Sequence, residues 1–359
     1  MKLGLALPKA RLSAEDFRFA RQAGATHLHV NLTQPQPATE RMRASQERYP
    51  KTPHSDPDDA DWTYEAFRDL RKAVGEEGLV LDALTGFEPA HWHDVLLDGP
   101  RRSEQMEKLK AILRDMGRAG IPIMGYNFSI AGVWGRTRRT VSRGGAASPG
   151  FHDPPQPPIP NGMVWNRVCD PELYDEENPK GYAGQITHDE LWRRLEAFLE
   201  EILPVAQEAG VKLAMHPDDP PLPTLRGTPR LIYGPDHYQR MLEISPSPSN
   251  AMNVCVGTCA EMAEGDIYEM VDRYSRTGRI AFVHFRNVRG KVPNYDEVFI
   301  DEGDVDMIRI LRILKGNGFE GVITPDHSPN FSCGTPWYTA KAFTLGWLNA
   351  ALKIVGSET

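Results

Sequence analysis

The chain has 359 residues, 40% of them hydrophobic, with 41 basic and 49 acidic side chains giving a formal net charge of −8. That length buries a full core, as one large barrel or as two smaller domains. The acidic balance excludes a partner with a phosphate backbone, since nothing would neutralise it. No run of about 18 apolar residues exists to cross a membrane. The N-terminus is cut by Pro8 and by charges before a signal-type apolar region can form, so a cytoplasmic protein with reduced thiols is expected.

Short apolar runs alternate with amphipathic stretches along the whole chain. LGLAL comes first and is followed by SAEDFRFARQAG, a helix that Ser13 caps and Gly24 stops. HLHVNL from His27, LVLDAL from Leu79 and IPIMGYNF from Ile121 read as the next strands. The helix HDELWRRLEAFLEEILPVAQEAG ends at Gly210 and leads into VKLAMH from Val211. MNVCV from Met252, IAFVHFRNV from Ile280 and GVITPDH from Gly321 complete the series. Several runs are almost continuously apolar, as strands covered on both faces must be. About eight such strand-helix units predict an α/β fold, a TIM-type (β/α)8 barrel forming one domain over residues 1–359. A doubly wound sheet is disfavoured because no Gly-rich fingerprint follows the first strand. Two segments interrupt the rhythm, roughly Thr33 to Trp62 and roughly Val141 to Lys180, the second containing DPPQPPIPNG. Both read as long inserted surface loops, either tolerated insertions or a lid.

Chemistry-bearing residues gather where the strands end, which is where a barrel of this type collects its functional groups. His216 closes VKLAMH, and Pro217 stops the pairing there. Cys255 ends MNVCV just before a Gly257-Thr258 turn, a place for a metal-bound thiolate or for an inert buried cysteine. Cys259 lies close by, but no second cysteine pair completes a zinc site. Cys169 and Cys333 are far apart in sequence. His284 and Arg286 share one side of a strand, and an inward guanidinium calls for an anion such as a substrate carboxylate. Asp326 and His327 end the last strand with a carboxylate and an acid or base. His216, Cys255, His284 and Asp326 recur at roughly thirty to forty residues, the period of successive barrel units. Further candidates for substrate contact are Asn127, Arg136 just beyond Trp134, and His91 and His93 beside Trp92. His27 and His29 share a strand face without an evident role.

These blocks resemble the mannonate dehydratases of the xylose-isomerase-like barrel superfamily. The resemblance rests on AFLEEILPVAQEAGVKLAMHPDDPP, NVCVGT, FVHFRNVRG, GDVDM from Gly303, TPDHS and PWYTAKAFTLGWL. Upstream, AGIPIMGYNFSIAGVWGRTR and MVWNRVCDPELY fit as well, so the likeness spans about residues 80 to 350. It implies a divalent ion, usually Mn²⁺, on His216, Cys255, His284 and Asp326, with His327 and Tyr338 catalytic. From donor chemistry alone, two imidazoles, a thiolate and a carboxylate suit zinc or iron as readily, and Fe²⁺, Co²⁺ and Zn²⁺ stand as alternatives. Barrels of this superfamily often assemble as dimers or tetramers, so a homo-oligomer is expected.

The implied reaction removes water from a sugar acid such as D-mannonate, giving a 2-keto-3-deoxy acid. Its enediolate needs nearby positive charge, and its leaving hydroxide needs a proton. The resemblance weakens at the N-terminal end, which lacks a WYG-type opening and has a lengthened first connection, so a related aldonate is an open alternative. A sugar isomerase or epimerase would use the same metal barrel without expelling hydroxide. A metal-dependent phosphodiesterase would require a basic groove, and a sugar-acid binding protein would not depend on His327.

Overall fold

The computed structural model describes residues 1–33, 59–133, 135–159, 163–164, 167–168 and 186–358. Trp134, Cys169 and most of both interrupting segments lie outside the described residues. Eight parallel strands close a barrel: β1 Lys2–Pro8, β2 His27–Asn31, β3 Val80–Thr85, β4 Ile123–Tyr126, β5 Lys212–Met215, β6 Asn250–Cys255, β7 Ile280–Phe285 and β8 Val322–Pro325. Each falls on one of the eight runs read from the sequence. Each is paired with its sequence neighbours, and β1 closes the ring against β8.

The outer helices are α1 Ala14–Gln22, α2 Tyr64–Glu76, α3 Arg102–Ala119, α4 His188–Glu208, α5 His237–Ile244, α6 Ile267–Ser275, α7 Met307–Gly316 and α8 Pro336–Ser357. Their ends follow from local chemistry. The Ser13 hydroxyl accepts the Asp16 amide at 3.2 Å at the start of α1, and Gly24 takes φ +101° after its end, a conformation that glycine adopts freely. Thr187 caps α4 in the same way, and Gly210 follows it with φ +69°. A small apolar cluster of Ala83, Ile123, Ala214, Ala251, Ala281, Phe282 and Val322 lies entirely on barrel strands. Among the described residues, no helix is long and apolar enough to cross a membrane.

The sequence reading needs two corrections. IAFVHFRNV is not one strand: Ile280–Phe285 belongs to the barrel, whereas Asn287–Lys291 pairs antiparallel with Asn294–Val298 in a separate sheet. The start of the second interrupting segment is not a loop either. Arg136–Ser142 and Ala146–His152 form a hairpin, and the latter strand pairs with Asn294–Val298. This four-stranded sheet carries Arg136 and Glu297 to the C-terminal end of the barrel.

His29 shows why one inward polar residue is tolerated in β2. It is fully buried, with Nε2 3.4 Å from Asp82 Oδ2 and its ring edge against Phe282 at 4.5 Å between centroids. Burial holds its imidazole below the usual 6.5, although Asp82 pulls the other way. The unfolded chain therefore binds more protons between the lowered value and 6.5. Stability is complete above that window and falls as pH drops through it. Urea midpoints should decrease on acidification below about 6.5, and His29→Asn should lessen that slope. An unchanged slope would contradict the assignment.

Candidate active site

A cavity of about 440 Å³ opens at the C-terminal end of the barrel, and its lining includes Asn31, Thr85, Asn127, Arg136, His216, Asp219, Asn253, His284, Asp326 and His327. Six of the sequence candidates line it: Asn127, Arg136, His216, His284, Asp326 and His327. His216 directly follows β5, its amide bonded to the Tyr126 carbonyl at 2.8 Å. Its Nδ1 lies 2.6 Å from the Pro217 carbonyl, so Nδ1 carries the proton and Nε2 keeps its lone pair. Cys255 ends β6 and is fully buried. Its sulfur accepts from Thr258 Oγ1 at 3.1 Å and from the Thr258 amide at 3.4 Å. His284, on β7 beside Cys255, has a buried Nδ1 without a hydrogen-bond partner. Burial holds its imidazole below the usual range, which keeps it neutral and free to ligate.

One ligand atom from each of His216, Cys255 and His284 lies within 4.8 Å of the others, a spacing that one ion could span. The Asp326 carboxylate stands 3.6 Å from the cysteine sulfur, and Arg286 Nε donates to it at 3.0 Å. Burial raises the Asp326 carboxyl, but His327, His284, Arg286 and His216 outweigh it and hold the group well below its ordinary value. An orphaned imidazole nitrogen beside a cysteine sulfur and an ionised carboxylate fits a divalent cation.

Asp219, Glu297 and His327 form a second group of similar spacing. Its charge is already balanced, because Arg136 reaches Glu297 at 2.5 Å and Asp219 at 2.8 Å, while Arg286 lies 3.2 Å from each. Two guanidinium groups occupy the positions a cation would take. His327 remains partly exposed, with Nδ1 3.0 Å from Glu297 Oε2 and also 3.0 Å from Arg136 Nη1. Nδ1 thus stands between a guanidinium donor and a carboxylate, and Nε2 lies 3.5 Å from Asp326 Oδ1.

Arg286 is not an anion site for substrate. It is 1% exposed, and its partners are protein carboxylates: Glu261, Glu297, Asp219 and Asp326. The chain turns away after Phe285, so the period-two argument that placed Arg286 beside His284 fails at that residue. Tyr338 is not brought to the cavity. Its hydroxyl donates to Asp16 Oδ1 at 2.7 Å, and Arg11 lies over its ring at 4.7 Å. Lys341, one turn further along α8, instead donates to the Asp326 carbonyl.

Asn127 and Arg136 do line the cavity, but both Arg136 Nη atoms are engaged by Glu297 and Asp219. His91 and His93 do not line it. His93 packs beneath with Nε2 2.9 Å from Arg101 and Nδ1 3.3 Å from the Pro89 carbonyl. Cys259 is buried apart from the ligand group. Asp219, Glu261, Glu297 and Asn253 were not legible as site residues. Only the demand of a buried Arg286 for carboxylates could have pointed to the acidic three.

The family model described as D-mannonate dehydratase (UxuA) matches residues 44–153 and 175–348. A mannonate dehydratase of Streptococcus pneumoniae is 31% identical over 290 residues, covering 74% of this chain and 74% of its own. A mannonate dehydratase of Halalkalibacterium halodurans is 29% identical over 316 residues, covering 82% of this chain and 88% of its own. The crystal structure of mannonate dehydratase from Streptococcus suis serotype 2 superposes with a TM-score of 0.76 at 25% identity, over 99% of this chain and 96% of that one. A 3-keto-D-glucoside 4-epimerase from E. coli, with a TM-score of 0.58 at 11% identity over 98% of this chain and 99% of its own, shares the fold alone. With barrel, site and sequence in agreement, the chain belongs to the D-mannonate dehydratase family.

Proposed function

We propose that this chain is a hydro-lyase that converts D-mannonate to 2-keto-3-deoxy-D-gluconate and water, as one cytoplasmic barrel domain that forms homo-oligomers. The observation that carries this reading is the convergence of His216, Cys255, His284 and Asp326 beside His327 at the C-terminal end of a barrel of this family. The four residues would hold a divalent ion, Mn²⁺ in our reading, with Fe²⁺, Co²⁺ and Zn²⁺ compatible with the same donors. Such an ion supplies positive charge that stabilises the enediolate developing on the substrate carboxylate.

The chain's own groups supply the proton traffic. His327 Nε2 takes the proton from C2, while the Glu297 carboxylate, with Oε2 3.0 Å from Nδ1, steadies the imidazolium. The same Nε2 then gives its proton to the hydroxyl at C3, which leaves as water. The electrons of the C2–H bond become the C2–C3 double bond, and the enol ketonises by taking a solvent proton at C3. Arg136 adds positive potential beside His327.

Turnover of D-mannonate in D₂O by metal-loaded chain tests this directly. Dehydration yields a 2-keto-3-deoxy acid with one deuterium at C3. An isomerase or epimerase would instead return a sugar acid of unchanged water content with deuterium at C2, and that product would overturn the reading.

A further inference from the structure

We propose that Asn253, on the floor of the cavity, is a specificity-determining residue that binds one hydroxyl of the sugar acid; this rests on the dehydratase reading. Asn253 precedes Cys255 by two on β6, so both side chains face the same way. Its register partner on β7 is Phe282, whereas that of Cys255 is His284, which puts Asn253 one layer below the proposed ligands. The residue is 3% exposed, lines the cavity, and its Oδ1 has no hydrogen-bond partner. Its backbone carbonyl accepts from the Tyr238 hydroxyl at 2.7 Å, which fixes the strand and leaves the amide unexplained. Asn250 on the same strand also has an unpartnered Oδ1, but its Nδ2 donates to the Met241 and Ser245 carbonyls and it does not line the cavity.

Small residues stand in the same layer. Gly125 of β4 lines the cavity, and a Cβ there would come within 3.2 Å of both Phe282 Cζ and Thr85 Cγ2. Beside it in register stands Ala214. Asn127 supports the same chemistry from just beyond β4: its Nδ2 faces the His216 and Pro217 carbonyls at 3.4 Å, which orients Oδ1 as an acceptor. A flipped amide would set oxygen against oxygen. A carboxylate only accepts and is repelled by such oxygens, whereas an alcohol both donates and accepts. The well matches a carbinol group and not the acid end of the substrate.

A buried amide kept without a protein partner weakens folding, and its replacement by a shape-matched apolar residue relieves that cost. Asn253→Leu and Asn253→Ala, each in the metal-loaded full chain, are compared with the wild type. The readouts are KM and kcat for D-mannonate and inhibition constants for aldonates lacking one hydroxyl each. The inference expects D-mannonate to lose about tenfold in kcat/KM. One deoxy aldonate should bind equally to all three proteins, and the thermal midpoint of Asn253→Leu should match or exceed that of the wild type. Equal losses for every ligand, or no loss for any, would overturn it while the dehydratase reading stands. A lowered midpoint accompanied by uniform losses would reduce Asn253 to a packing residue. A wild-type chain that turns over no aldonate would remove the dehydratase reading, and the inference with it.

Discussion

Replacing Arg286 by methionine should destabilise the chain by about 3–5 kcal/mol, the usual cost of leaving buried charges without their partner. The guanidinium is 0% exposed and joins Glu261, Glu297 and Asp219, with Asp326 as a fourth contact. Without it, the fully buried Glu261 loses its guanidinium partner, while Glu297 keeps Arg136. Burial already pushes the Glu261 carboxyl up against the pull of Arg286, with Asp219 and Glu297 adding to the rise, so Glu261 is the group that would take a proton first. Adding Glu261→Gln to Arg286→Met should then recover part of the lost stability. Urea denaturation of the two variants measures both effects. A substrate clamp would behave differently, with KM raised and the urea midpoint unmoved, and that result would restore the carboxylate-binding role inferred from sequence spacing.

Cys255→Ala should cost at least about 100-fold in metal affinity, more than is lost when a residue that merely orients a ligand is removed. The sulfur lies 3.6 Å from Asp326 Oδ2, and Thr258 supplies it with two donors. Because the side chain is small and fully buried, the metal-free fold should survive the change. Metal content after gel filtration, read by mass spectrometry, should fall to a small fraction of an equivalent while the metal-free melting point moves little. Retention of a full equivalent would place the ion elsewhere.

The barrel was legible because a strand buried on both faces must be apolar throughout, and eight such runs stand out from the intervening amphipathic helices. Ser13, Gly24 and Gly210 marked helix ends for the same reason, since each satisfies or terminates a backbone pattern locally. His216, Cys255, His284 and Asp326 were legible because each stands at the C-terminal end of a strand, where the fold itself dictates convergence. The failures share one cause. Arg286 and Tyr338 lie where regular structure gives way or begins, so their directions depend on tertiary partners: Glu261 for the first, Asp16 for the second. Glu297 sits on a strand of the accessory sheet, whose pairing with the hairpin spans more than 140 residues of sequence. Asn253 was hidden in an apolar run, where a single polar letter reads as an exception until the cavity beside it is seen.

The central claim is that a metal held by His216, Cys255, His284 and Asp326 makes this chain a mannonate dehydratase. Chain stripped with a chelator, then reloaded with Mn²⁺ in graded amounts, should be followed for 2-keto-3-deoxy acid formed from D-mannonate. The account predicts no product from stripped chain and a linear return of activity that saturates at one equivalent. Full activity without metal, or none at saturation, would contradict it.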